Sequence, residues 1–119
     1  MKTMSVKRRL NRAGDERTHA LVFAALGGDI RLALISKLCG GEPRSISQLT
    51  EGSRLTRQAI TKHLRVLESA GIVRSVRSGR ESRFKFDPKP IDATGKYLDL
   101  VSRQWDETLA RLRSLVEAE

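Results

Sequence analysis

Gln58, Thr61, Lys62 and Arg65 are the side chains of this sequence best suited to chemistry, and the chemistry is recognition, not bond making. At about 100° per residue they fall within about 100° of one another, opposite Ile60, Leu64 and Leu67, so a helix here offers amide, hydroxyl, ammonium and guanidinium groups from one side. Such a set can read base edges in a major groove: Gln pairs with adenine, Lys or Arg with guanine, and Thr meets a base edge or a thymine methyl. Arg57, in the first turn, suits a phosphate or a neighbouring base. The alternative is a plain solvated helix face. Three surroundings favour recognition: a short capped helix precedes this one, Glu68 is the only acid between Thr56 and Gly71, and basic, alternating residues follow the helix.

Those following residues, IVRSVR and SRFKF, change the period from helical to alternating, with Ser78 and Gly79 supplying turn chemistry. They predict a two-stranded hairpin with a basic tip. Arg77, Arg80 and Arg83 lie at or beside that tip, within reach of phosphate or of an adjacent minor groove, and Phe84 and Phe86 pin the hairpin to the body. Read instead as an edge device, the same Arg and Lys residues would resist aggregation.

Several elements must position these residues. The run HALVFAAL from His19 is apolar enough for a buried or dimer-facing helix closed by Gly27 and Gly28. Asp29 is placed to cap a second helix with Ile30, Leu34 and Leu38 on one face, stopped by Gly40 and Gly41. After Pro43, Ser45 and Gln48 have the S-x-x-Q spacing of a reciprocal cap that starts a short third helix, anchored by Ile46 and Leu49. A turn containing Gly52 and Ser53 leads to Thr56, the expected cap of the fourth helix, which ends at Gly71. Two helices this close form a helix-turn-helix unit. Pro88 and Pro90 introduce a last helix in which Leu98, Val101, Trp105, Leu109, Leu112 and Val116 recur at steps of three and four. That stripe must be covered by something.

Charge follows the same division. Of the formal net charge of +9 over 119 residues, most sits in residues 54–85, which carry nine basic and two acidic side chains, whereas residues 91–119 carry four and six. A concentrated excess of this kind suits a polyanion, with double-stranded DNA the first expectation. One Trp, one Tyr and three Phe leave few rings for stacking single strands. One Cys and two His assemble no nucleophile, base and orienting group in a recognisable order, so no enzyme, cofactor or metal site is expected. The domain is expected over 17–119, preceded by a basic arm over 1–16 (Lys7, Arg8, Arg9, Arg12) that is either a flexible arm or a solvated tail without function. No apolar stretch reaches the ~20 residues of a membrane span and no leader is evident, which predicts a cytoplasmic protein without membrane contact.

The stretch LTRQAITKHLRVLESAGIVRSVRSGRESRFKFD resembles the winged-helix repressors of the ArsR/SmtB type, and the likeness covers about residues 18–117. It implies a mainly α winged helix-turn-helix fold. Thr56, Arg57, Gln58, Thr61, Lys62 and His63 then fall on the recognition helix and Arg80 on the wing. It also implies a homodimer through the first and last helices, with Leu21, Val22, Phe23, Leu98, Val101, Trp105, Leu109 and Leu112 at the interface, acting as a repressor on an inverted-repeat operator. The metal-sensing branch carries Cys-x-Cys at the third helix or His and acidic ligands on the last; EPRSISQLTEG and residues 91–119 supply neither, which implies a non-metal-sensing subgroup. Arg54 stands where many relatives have Gly. His63 is either a phosphate contact or a packed histidine, and His19 is structural or exposed. A sensor acting through Cys39 oxidation or a small ligand between protomers, and a protein-only adaptor, are the competing functions; no effector is identified.

Overall fold

The computed structural model describes residues 16–118. All but the last residue of the basic arm expected over 1–16 therefore lies outside the described residues, and Glu16 is already helical. The elements run α1 (16–26), α2 (Asp29–Leu38), β1 (Arg44–Ser45), α3 (Ile46–Thr50), α4 (Arg57–Ser69), β2 (Val73–Ser78), β3 (Glu81–Phe86) and α5 (Lys89–Glu117).

Local chemistry accounts for most of the boundaries. Ser45 and Gln48 form the reciprocal cap: the Gln48 amide donates to Ser45 Oγ at 3.2 Å and the Ser45 amide to Gln48 Oε1 at 2.9 Å. Thr56 caps α4 by accepting from the Ala59 amide at 3.1 Å. At the other end Gly71 takes φ +75°, donating to the Glu68 carbonyl, while Ile72 donates to the Leu67 carbonyl; both Leu67 and Ile72 are enclosed. That pairing closes the helix and turns the chain into the hairpin.

Asp29 does not cap α2. Gly28 occupies the cap position without a side-chain bond, and Asp29 is the first helical residue, its Oδ1 accepting from the Ile30 amide at 2.9 Å. Arg54 itself needs no left-handed backbone. The left-handed backbone of the helix-helix turn falls on Gly52, φ +75°, and no non-glycine among the described residues needs a positive φ.

The hairpin forms with a two-residue connection, Gly79 and Arg80, in which only Gly79 has positive φ, +64°. This is the II′ pattern, which matches the twist of paired strands. Sequence reasoning placed two strands here, and a short third one joins them: β1 pairs antiparallel with β3, giving the order β1-β3-β2. Residues Arg44 and Ser45 lack any alternating pattern of their own, so only the pairing reveals them as a strand.

Leu38, Leu49, Ile60, Leu64, Leu67 and Ile72 are fully enclosed, drawing α2, α3, α4 and the start of the hairpin around one core. Each contributes about 1.5–3 kcal/mol by leaving water. Phe84 is buried and Phe86 packs against the same core, anchoring the hairpin. Val22 belongs to this core too. It has no surface left for a second copy, so it drops out of the expected interface, while its neighbours Leu21 and Phe23 face outward.

α5 behaves differently along its length. Near its start Ile91 packs on the core, Thr94 is buried, and Tyr97 stacks on His19 of α1 with ring centroids 4.5 Å apart. His19 is thus structural: buried, with Nδ1 2.8 Å from Thr94 Oγ1. From Leu98 onward no described residue of α5 is buried. At 1.5 Å per residue that bare portion extends about 30 Å. No described helix is long and apolar enough to cross a membrane.

Candidate nucleic-acid interface

α4 is held from behind by Ile60, Leu64 and Leu67, which leaves its opposite side in solvent. The side chains on that side divide by what already occupies them. The side chains of Arg57, Gln58 and Lys62 are exposed and make no hydrogen bond or ion pair within the described residues. Thr56 is committed to the cap. Thr61 donates its hydroxyl to the Arg57 carbonyl at 2.7 Å, so what it still offers is an acceptor oxygen and a methyl group. Arg65 is exposed but bridged to Glu68 at 3.0 Å.

Glu68 also accepts from Ser75 Oγ at 2.7 Å, so one carboxylate joins α4 to β2. The Ser75 hydroxyl first, and then the Arg65 guanidinium, hold its pKa below the ordinary carboxylate range against the opposing effect of partial burial. The orientation of the hairpin relative to α4 is therefore set partly by a charged hydrogen bond. Sequence spacing gives no sign of this contact, because its partners lie seven residues apart on different elements.

His63 is not brought together with the exposed set. It is half-buried on the edge of α4 that meets α2, where Nδ1 lies 3.4 Å from Nη1 of Arg31.

The hairpin arginines also separate. Pairing sets Ser75 opposite Phe84 and Arg77 opposite Ser82, so Arg77 lies on the face that Phe84 turns to the body. Arg83 pairs with Val76 and Lys85 with Arg74, which puts those three basic residues on the other face. Arg83 is further tied to Glu81 at 3.1 Å, whereas Arg80 stands exposed in the connection. A one-residue alternation, invisible in a count of charges, thus splits the basic tip into two sides and an apex.

Arg54 is a candidate that sequence reasoning treated only as a turn anomaly. It is exposed immediately before α4, beside Arg57 and Gln58 in sequence, and its inclusion in the basic segment was the available signal. Cys39 is exposed at the C-terminal cap of α2. Among the described residues no three or more His, Cys, Asp or Glu side chains converge as metal ligands would.

A capped helix presenting unpaired donors, a short helix before it and a basic hairpin after it define a winged helix-turn-helix DNA-binding protein. Comparison with known proteins gives the same class and narrows it. A family described as a helix-turn-helix domain matches residues 26–76. The HTH-type transcriptional regulator YuzN of Bacillus subtilis is 36% identical over 76 residues, covering 59% of this chain and 83% of that protein. An ArsR-like transcriptional regulator from Rhodococcus sp. RHA1 superposes with a TM-score of 0.81 at 33% identity, covering 90% of this chain and 97% of that one. The homodimeric winged helix-turn-helix DNA-binding domain Mb0332 from Mycobacterium bovis shares the fold, with a TM-score of 0.61 at 23% identity over 82% of this chain and 87% of that one. The chain belongs to the ArsR-like family of winged helix-turn-helix transcriptional regulators: it is a DNA-binding regulator of transcription, not an enzyme.

Proposed function

We propose that the protein is a homodimeric repressor. Two protomers join along the exposed stretch of α5 together with Leu21 and Phe23 of α1, and each lays α4 in one of two successive major grooves, about 34 Å apart. Its operator is an inverted repeat, because a two-fold protein reads two-fold DNA. Gln58 and Lys62 read base edges, with Thr61 offering its methyl group. Arg57 takes phosphate, and Arg65 joins it when it leaves Glu68. Arg80, at the apex of the wing, reaches the flanking backbone or minor groove, with Arg77 and Arg83 on either side of it. Occupying a promoter in this way blocks transcription by exclusion.

One observation carries the reading: Leu98, Trp105, Leu109, Leu112 and Val116 form an uncovered apolar strip on the same chain as an uncovered polar recognition face. A strip of this size on a small protein signals a partner surface. The homodimeric state of the Mb0332 domain, which has the same fold, favours a second copy as that partner.

Footprinting tests this directly, with the duplex upstream of the protein's own gene set against random duplex. Protection of two half-sites one helical turn apart is the expected result. Binding by a monomer, or equal affinity for both duplexes, refutes it.

A further inference from the structure

Arg31 of α2 is held on three sides. Its Nε donates to the Ala25 carbonyl at 2.6 Å and its Nη2 to the Ala24 carbonyl at 3.2 Å, both in the last turns of α1, while Nη1 faces Nδ1 of His63 on α4 at 3.4 Å. A guanidinium has donors and no acceptor, so the direction of the last bond is forced. His63 presents the Nδ1 lone pair and carries its ring hydrogen on Nε2. Gly28 completes the arrangement. A Cβ there would stand 2.9 Å from both Cζ and Nη2 of Arg31. Its φ of −121° is open to any residue, so it is space for the guanidinium that calls for glycine.

We propose that Arg31 is a positioning residue for DNA recognition, a strut that fixes α4 against the C-terminal end of α1, and that His63 serves as its acceptor and not as a DNA ligand. α1 is joined in turn to α5 through His19 and Thr94. A series of hydrogen-bonded contacts therefore runs from the buried start of α5, one turn before the apolar strip, to the recognition helix. The inference rests on reading α1 and α5 as the dimer side: two recognition helices can match two grooves only if each is held at a fixed height from the shared axis. Loosening the strut leaves the fold and the dimer intact and lets α4 wander, which weakens binding without removing any group that touches DNA.

The test is a binding cycle with Gly28→Ala, Arg31→Ala, their combination, His63→Gln and His63→Ala, read by fluorescence anisotropy on whichever duplex the wild type binds most tightly. Melting curves and sedimentation accompany each variant. Gly28→Ala displaces the flexible end of Arg31 without touching the core, so it and Arg31→Ala each weaken binding about tenfold, the loss of one charged hydrogen bond. The combination is no weaker than Arg31→Ala alone. His63→Gln keeps an acceptor and stays within about twofold of wild type, whereas His63→Ala matches Arg31→Ala. Independently, the Nδ1 nitrogen resonance of His63, recorded at alkaline pH, shifts in Gly28→Ala and Arg31→Ala. Multiplying losses in the combination, an unmoved resonance, or a weakened His63→Gln with a salt slope lower by about one phosphate contact overturns the strut. Should Arg31→Ala fail to fold, Gly28→Ala and the resonance decide alone. A wild type without operator preference, or one that sediments as a monomer, refutes the repressor reading and with it the groove-matching role of the strut, while the resonance still reports separately whether Arg31 bonds His63.

Discussion

Trp105 offers the most demanding test of the dimer. Its side chain is 62% exposed in the protomer and it is the chain's single Trp. A Trp presents up to about 250 Å² of surface, so about 150 Å² of each ring is open and about 300 Å² in a pair. At about 25 cal/mol per Å², covering both rings contributes up to about 7.5 kcal/mol to association. Coverage is never complete, and Ala retains part of the contact, so about half that value is the expected cost of Trp105→Ala. About 4 kcal/mol corresponds to a dimer Kd raised roughly a thousandfold. Sedimentation across a wide concentration range measures it, with circular dichroism to verify that the variant remains helical. The wild type supplies its own control, since indole emission must move to longer wavelength as dilution exposes the ring. A variant Kd within threefold of wild type, or emission unchanged across dissociation, would refute the placement of Trp105 between protomers.

Other outcomes follow from the same geometry. Gln58→Ala should cost about 1–3 kcal/mol on the operator and nothing on random duplex, whereas Arg80→Ala should weaken both alike and lower the salt slope by about one, as anisotropy titrations over a salt series will show. Leu64→Ala empties a fully enclosed position and should cost about 2–5 kcal/mol in denaturant unfolding, since its neighbours in α2 and α3 cannot collapse onto the space. The lowered pKa of Glu68 gives a pH dependence of definite sign. Its contribution is complete above the ordinary carboxylate range and is lost as pH falls through the lowered folded value. The melting temperature of Glu68→Gln should therefore fall less steeply with acid than that of the wild type; parallel curves would remove Glu68 from the tie between α4 and the hairpin.

Recognition by this protein depends on two kinds of side chain that look alike in a sequence. Arg57 and Lys62 have no side-chain partner among the described residues, so their donors are free for a ligand. Arg31 and Arg65 are equally basic but already engaged, the first with α1 and α4 and the second with Glu68. A net charge counts all four equally. Only Arg65, on an exposed face with a single surface partner, can exchange that partner at little cost, because exposed ion pairs are worth about 0–1 kcal/mol.

Much of the fold was legible in the sequence because it is set over a few residues. The Ser45–Gln48 cap, Thr56 ahead of α4, the glycine at its end and the alternation after Val73 are each decided by neighbours within a turn or a strand, and each formed where expected. The basic segment and the apolar stripe of α5 were equally evident from composition and period, whereas its exposure in the protomer was not. Tertiary structure decided the rest, for a physical reason common to every case: the outcome depended on which face of an element met another. HALVFAAL is apolar almost all round, so nothing local distinguishes Val22, enclosed, from Leu21 and Phe23, exposed. A strand of two residues exists only through its pairing with β3. Arg77 and Arg83 part company by register, and the contact between Arg31 and His63 spans 32 positions of chain that only packing brings within reach.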